Sequence, residues 1–170
     1  MLYRIAWTCY LTAALAFGLA TARAAEGKER GKDAKGHHER EGEHKAAHGG
    51  CLNALGTCEN GHAEVKLENG VLMVWFVGGG ADTERAVRVP DLDITLAVTL
   101  SGEREARSLT LKAKPNELAE EKPGDCSHFA GQADWIKDAK QFVATGMVTF
   151  KGRKQAVRVE YPKGYDPDED

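Results

Sequence analysis

The sequence of 170 residues lacks an excess of charge of either sign, and this argues against one large class of functions. Its 23 basic and 26 acidic residues give a formal net charge of -3 and are spread along the chain. The chain has no basic stripe of the kind that follows a phosphate backbone. Nucleic acid is therefore not an expected partner.

The chain also lacks the common motifs of catalytic sites. The run Gly78–Gly80 is not accompanied by the Lys and Ser/Thr that a phosphate-binding loop needs, so it is interpreted as a turn. Cys126 and His128 superficially offer a Cys/His nucleophile pair, but no recognisable orienting partner or oxyanion motif accompanies them. We therefore expect a protein that is not an enzyme.

Long apolar runs are absent except at the N-terminus. Arg4 precedes an apolar run at residues 5–20, and Ala22-Arg23-Ala24 is the small-x-small pattern that signal peptidase reads. The run of about 16 residues is shorter than the ~20 needed to cross a bilayer, and no strong stop-transfer charge cluster follows it. Residues 1–24 are therefore predicted to be a cleaved signal peptide. This predicts a periplasmic or secreted protein with no stable membrane span after cleavage.

Residues 25–48 lack periodic apolar residues and are rich in Lys, Glu, Gly and His. Such a segment cannot bury enough surface to offset its loss of entropy on ordering, which predicts a disordered tether. Four of the six histidines lie there: His37, His38, His44 and His48. Two interpretations remain open, a solvated linker or a flexible collector of divalent metal ions, since imidazoles on a mobile chain can converge on one ion.

Residues 49–165 show the period-two alternation that is typical of half-buried β-strands. Apolar residues alternate with charged ones over residues 63–68, and Asn69-Gly70 is a preferred pair for a type I′ turn into an apolar strand at 71–77. Further strands are predicted at residues 85–89, 94–100, 108–113, 142–150 and 157–161.

The fold class expected from this pattern is all-β. We predict an antiparallel β-sandwich or small barrel of about seven strands, because short strands with tight connections argue against βαβ units. One short helical insertion is expected within residues 134–140. The chain then ends in an acidic tail at residues 166–170.

Three cysteines follow the predicted cleavage site: Cys51, Cys58 and Cys126. In an oxidising compartment, a disulfide between two of them is the default expectation. We favour Cys58 with Cys126 and keep Cys51 as the alternative partner of Cys126. Such a long-range bridge could contribute roughly 3 to 4 kcal/mol. A domain held together in this way would be a non-catalytic structural or protein-interaction module, with another envelope protein as its partner.

The same cysteines also suggest a metal site, because each has a histidine close in sequence. Thiolate and imidazole are donors that zinc and copper prefer. If the segment from Cys58 to His62 folds beside the segment from Cys126 to His128, four ligands of tetrahedral type are assembled. None of the spacings is a CxxC knuckle. The predicted metal ligands are His48, Cys58, His62, Cys126 and His128.

Three short segments, His48-Gly49-Gly50, Leu55-Gly56 and His62-Ala63-Glu64, resemble the HGG…LG…HxE opening of small exported bacterial β-domain proteins, which are mostly uncharacterised. Similar openings occur near metal-efflux components of the periplasm. The resemblance implies divalent-cation handling and carries over His48 and His62 as candidate ligands. Many such openings have no cysteine at the positions matching 51 and 58, so the resemblance implies nothing about the cysteines.

Together these observations lead to one expected function and one alternative. The expected function is an exported protein of the cell envelope that binds zinc or copper and handles or buffers the metal. The alternative is the disulfide-stapled interaction module described above.

Overall fold

The computed structural model describes residues 44–168. The predicted signal peptide and most of the predicted tether lie outside these residues, as do residues 169–170. Within the described part, no helix is long and apolar enough to span a membrane.

Eight antiparallel strands form a single sheet that closes almost completely into a barrel, which confirms the predicted all-β class. Their hydrogen-bonded order is β1-β2-β3-β6-β5-β4-β7-β8. In chain order the strands are β1 Cys51–Leu55, β2 Thr57–Glu68, β3 Val71–Val77, β4 Asp93–Leu100, β5 Arg107–Ala113, β6 His128–Gln132, β7 Phe142–Phe150 and β8 Arg153–Tyr161. Two 3-10 helices, Glu117–Ala119 and Asp134–Ile136, lie in the connections, and the second is the expected helical insertion.

Two hairpins have the turn geometry expected from their sequences. Asn69 and Gly70 join β2 to β3 with φ angles of 52° and 80°. Lys151 and Gly152 join β7 to β8 with φ angles of 48° and 75°. Positive φ at both central positions matches the twist of the flanking strands, so each turn fixes the register of its hairpin.

The barrel interior is filled by apolar side chains from all eight strands. Phe76, Phe129 and Phe150 are buried at its centre, and the ring centroid of Phe76 lies 5.8 Å from that of Phe129 and 6.2 Å from that of Phe150. Burial of each such ring stabilises the fold by about 1.5–3 kcal/mol. Cys126 belongs to the same buried cluster.

The barrel closes where β1 meets the segment that follows β8. The Ala54 amide donates to the Tyr165 carbonyl at 2.8 Å, and the Tyr165 amide donates to the Leu52 carbonyl at 3.2 Å. Asn53 is fully buried in this seam, and its Oδ1 accepts a hydrogen bond from the Glu160 amide at 2.8 Å. The end of the chain is therefore held against β1.

Two details of the sequence interpretation were wrong. The strand predicted at 85–89 makes only isolated bridges, between Ala86 and Val77 and between Val89 and Cys126. This segment is a connection and not a paired strand; its sequence alternates because Val87 and Val89 are buried in the core. Strands β1 and β6 were not predicted, because each is only five residues long and lacks a clear alternation.

Candidate metal centre

Residues 44–50, which we call the N-terminal strap, lie across the outer face of β2 and β3. Ala63 and Val65 point into the barrel, so the intervening Glu64 and the preceding His62 point outward. Both outward side chains are nevertheless buried, at 0% and 2% exposure. The strap covers them: the ring of His44 packs against that of His62, with centroids 5.0 Å apart.

Glu64 anchors the strap to the sheet. Its Oε1 accepts hydrogen bonds from the backbone amides of His48 at 2.7 Å and Gly50 at 2.9 Å. Its Oε2 lies 2.8 Å from Nδ1 of His48, which donates to the carboxylate. A Cβ atom at Gly50 would lie 2.5 Å from the Val65 carbonyl oxygen, so the strap can approach β2 this closely only with glycine there. This contact joins the HGG and HxE segments of the sequence.

The strap brings His44 to two residues of β2, Cys58 and His62. One potential ligand atom from each of the three residues lies within 4.8 Å of the other two. His44 is exposed, Cys58 is half-buried and His62 is buried, so the group opens to solvent on one side. Two imidazoles and a thiol are a donor set that zinc and copper bind.

His62 is oriented as a metal ligand would be. Its Nδ1 lies 3.1 Å from the carbonyl oxygen of Gly78, which can only accept, so Nδ1 carries the proton and Nε2 keeps its lone pair. A backbone carbonyl that fixes one ring nitrogen in this way commonly orients a ligating histidine. Burial, reinforced by the charge of His44, lowers the pKa of His62, which favours the neutral form that binds metal.

The glycine run after β3 packs directly against the backbone that carries Cys58. The Gly80 amide donates to the Cys58 carbonyl at 2.9 Å. A Cβ atom at Gly79 would lie only 2.1 Å from the Glu59 carbonyl oxygen. The sequence predicted a turn at these glycines; the structure adds that Gly79 permits a close approach, which supports the position of the Cys58 thiol.

Two carboxylates from residues that follow β8 also lie near Cys58. Cys58, Asp166 and Asp168 form a second group, in which one potential ligand atom from each residue lies within 4.8 Å of the others. The Asp168 amide donates to Oδ1 of Asp166 at 2.9 Å. Cys58 is therefore common to a nitrogen-rich group and an oxygen-rich group.

The structure does not assemble the full ligand set that the sequence predicted. Cys58 and His62 do come together, but neither metal-compatible group in the described part of the chain contains His48, Cys126 or His128. His48 and His128 instead stack on Trp75. Their ring centroids lie 4.3 Å and 4.6 Å from that of the indole, with interplanar angles of 2° and 10°.

His128 is separated from the metal-compatible groups by strand β3. It lies opposite Trp75 in the β3-β6 ladder, while Glu64 lies opposite Trp75 in the β2-β3 ladder. Its Nε2 is buried without a hydrogen-bond partner in the structure, and burial lowers the pKa of the imidazole. Two strand spacings of ~4.8 Å separate it from β2, so it cannot complete a site at Cys58.

Cys126 faces the barrel core rather than a metal site. Its thiol donates to the His128 carbonyl at 3.1 Å and lies 3.7 Å from Oε2 of Glu121. Burial raises the pKa of this thiol, and the Glu121 charge adds to the effect. These surroundings favour the protonated thiol, whereas metal binding needs the thiolate.

The expected disulfide between Cys58 and Cys126 is not seen either. No disulfide joins any two of Cys51, Cys58 and Cys126 in the structure. Strand β3 lies between β2 and β6, and two strand spacings exceed the ~7 Å that a disulfide can bridge between Cα atoms. The alternative partner, Cys51, lies on β1, yet another strand away, and burial raises the pKa of its thiol.

Sequence reasoning did not select three of the residues that surround Cys58: His44, Asp166 and Asp168. His44 was among the histidines of the predicted tether, where a metal-collecting role remained open. Asp166 and Asp168 belong to the acidic tail, and nothing in their spacing points to Cys58. The closure of the barrel by Tyr165 is what brings these carboxylates near the thiol.

Comparisons of this chain with protein-family models, with curated proteins and with solved structures found no match. The interpretation of the site therefore depends on its geometry and on the chemistry of its donors.

Proposed function

We propose that this protein binds a transition metal ion, zinc or copper, through His44, Cys58 and His62. We further propose that it is exported to the cell envelope, where it handles or buffers that metal. The signal-peptide pattern of residues 1–24 supports export. The HGG and HxE segments supply His48, Gly50 and Glu64, whose hydrogen bonds hold the strap against β2 and so keep His44 beside Cys58.

The observation that carries the proposal is the convergence of His44, Cys58 and His62 within 4.8 Å. His44 comes from the strap and the other two residues come from β2, so their approach requires the strap to be docked. The hydrogen bond from His62 to the Gly78 carbonyl leaves one ring nitrogen with a lone pair. A second-sphere contact of this kind is typical of metal-ligating histidines.

The competing interaction module depended on a disulfide staple. None of the three described cysteines forms one in the structure, so this alternative loses the feature on which it was based. Metal binding, in contrast, needs Cys58 in its thiolate form.

Metal uptake by the tag-free protein tests the proposal. The chain is purified without a His-tag, its thiols are counted with and without reductant, and bound metal is quantified by mass spectrometry after incubation with Zn²⁺ or Cu⁺. We expect one bound equivalent, lost in Cys58→Ser and in His62→Ala and retained in Cys51→Ser. Oxidised thiols with no uptake of either metal would contradict the proposal.

A further inference from the structure

The two groups around Cys58 meet at a single sulfur atom. The Cys58 thiol lies within 4.8 Å of imidazole nitrogens of His44 and His62, and within 4.8 Å of carboxylate oxygens of Asp166 and Asp168. Nitrogen, sulfur and oxygen donors thus approach one point from the strap, from β2 and from the end of the chain. An oxygen donor at this sulfur would complete the coordination of a metal held by His44, Cys58 and His62.

Asp166 is better placed than Asp168 to do so. Asp166 is half-buried and follows Tyr165, whose backbone is bonded to Leu52 and Ala54 of β1. Its carboxylate accepts a hydrogen bond from the Asp168 amide through Oδ1, which helps to fix its orientation. Asp168 is exposed and lies beyond these anchoring bonds.

We infer that Asp166 is the fourth ligand of the proposed metal site and that the completed set selects zinc over Cu⁺. This inference rests on the proposed function. Two imidazoles, one thiolate and one carboxylate are four donors of the kinds that bind zinc, and four ligands match the tetrahedral coordination that zinc prefers. Tetrahedral zinc with its usual bond lengths holds its donors about 3.5 Å apart. His44, Cys58 and His62 already lie within 4.8 Å of one another, and Asp166 lies within 4.8 Å of Cys58, so binding requires the Asp166 carboxylate to move toward the two imidazoles.

Charge and donor softness both favour zinc in such a set. The thiolate and the carboxylate carry two negative charges, which Zn²⁺ neutralises, whereas Cu⁺ leaves one negative charge in a half-buried site. Cu⁺ prefers soft sulfur ligands and gains little from a carboxylate, while zinc accepts oxygen readily. The carboxylate therefore adds to the affinity for zinc and not to the affinity for Cu⁺.

Replacing each carboxylate separately tests the inference. Zn²⁺ and Cu⁺ affinities are measured by chelator competition for the wild-type chain, Asp166→Asn, the matched control Asp168→Asn and Cys58→Ser. We expect Asp166→Asn to weaken Zn²⁺ binding by about 10- to 100-fold. We expect its Cu⁺ affinity, and the Zn²⁺ affinity of Asp168→Asn, to change by less than about threefold. Asp166→His, which supplies another zinc ligand, is expected to restore Zn²⁺ binding to within about tenfold of wild type.

A cobalt probe reports the coordination directly. Co²⁺ bound to the wild-type chain is expected to give the intense visible absorption of a tetrahedral centre with a thiolate ligand, and Asp166→Asn is expected to change that spectrum. Zn²⁺ binding that is lost in Cys58→Ser but unchanged in Asp166→Asn would overturn this inference and leave the proposed function standing. An equal loss of Cu⁺ affinity in Asp166→Asn would likewise overturn it. A wild-type chain that binds no metal would overturn both proposals.

Discussion

Two histidines of the strap, His44 and His48, have the same chemistry but different surroundings. His44 meets Cys58 and His62, whose potential ligand atoms lie within 4.8 Å of its own. His48 meets a carboxylate at Nδ1 and an indole on its face. The first set of neighbours can share a metal ion; the second set holds the strap in place.

The indole of Trp75 explains why His48 and His128 do not form a metal site together. It lies between His48 and His128, stacked on both, so these two imidazoles face opposite sides of one aromatic plane. Two rings separated in this way cannot direct their nitrogens at one ion. The comparison therefore predicts that changes around His44 affect metal binding, whereas changes around His48 act mainly on the docking of the strap.

The largest effect is expected from Cys58→Ser. Cys58 supplies the only sulfur donor of the proposed site and is common to both groups of donors, so we expect the metal affinity to fall at least about 100-fold. Competition with a chelator of known affinity measures this change. Cys126→Ser is the control, because Cys126 belongs to neither group of donors, and its metal affinity is expected to stay within about threefold of wild type. A comparable loss in both variants would show that metal binding at Cys58 also depends on Cys126.

A smaller effect on metal binding is expected from Glu64→Ala. The change leaves the amides of His48 and Gly50 without their acceptor, so the free energy of unfolding should fall by about 1–3 kcal/mol in urea denaturation. Metal affinity should fall about tenfold, because a released strap no longer presents His44. If Glu64→Ala abolished metal binding as completely as Cys58→Ser with the fold intact, Glu64 would itself be a ligand and the comparison would fail.

Acid should lower the free energy of unfolding of the metal-free protein through His128, which stacks on Trp75. Burial lowers the pKa of His128 from its ordinary 6.5, so the unfolded chain binds a proton at a pH where the folded chain does not. The free energy of unfolding is thus at its full value above about pH 6.5 and falls as the pH decreases through the lowered pKa. His62 contributes with the same sign. Urea denaturation from about pH 7.5 to about pH 5, with a chelator present, measures the slope.

His128→Asn sharpens this test, because an amide cannot take up the proton. We expect the variant to lose less stability on acidification than the wild-type chain does. An equal or steeper loss in the variant would mean that His128 is not a source of the acid sensitivity.

The smallest effect is expected from Trp75→Phe. Phenylalanine keeps an aromatic face between His48 and His128, so the free energy of unfolding should change by no more than about 1 kcal/mol. Metal affinity should stay within about threefold, measured by the same competition. Trp75→Ala, which removes the stacking surface, is the contrasting variant and should resemble Glu64→Ala. A large loss of metal in Trp75→Phe would show that the indole supports His44 directly.

The sequence predicted the repetitive parts of the fold well. The alternation in β2 and the pair Asn69-Gly70 are local signals that produce a hairpin wherever the segment lies. The strands β7 and β8 were predicted from the same kind of alternation. The short strands β1 and β6 were missed, since their pairing depends on partners that are distant in sequence and not on a pattern of their own.

The candidate site was found only in part. Cys58 and His62 are four residues apart on one strand, so their proximity in sequence was informative. Cys126 and His128 are also close in sequence, two residues apart, but β3 separates them from Cys58, and no local pattern reveals which strands become neighbours.

The sequence by itself determined which segments become strands and turns and which donor types are available, because those properties depend on neighbouring residues. Only the tertiary structure decided which donors meet. The position of β3 keeps His128 away from β2, the bonds of Glu64 bring His44 to it, and the closure of the barrel at Tyr165 brings Asp166. Each of these contacts joins residues far apart in sequence, and strand order, which sets them, is a property of the whole sheet.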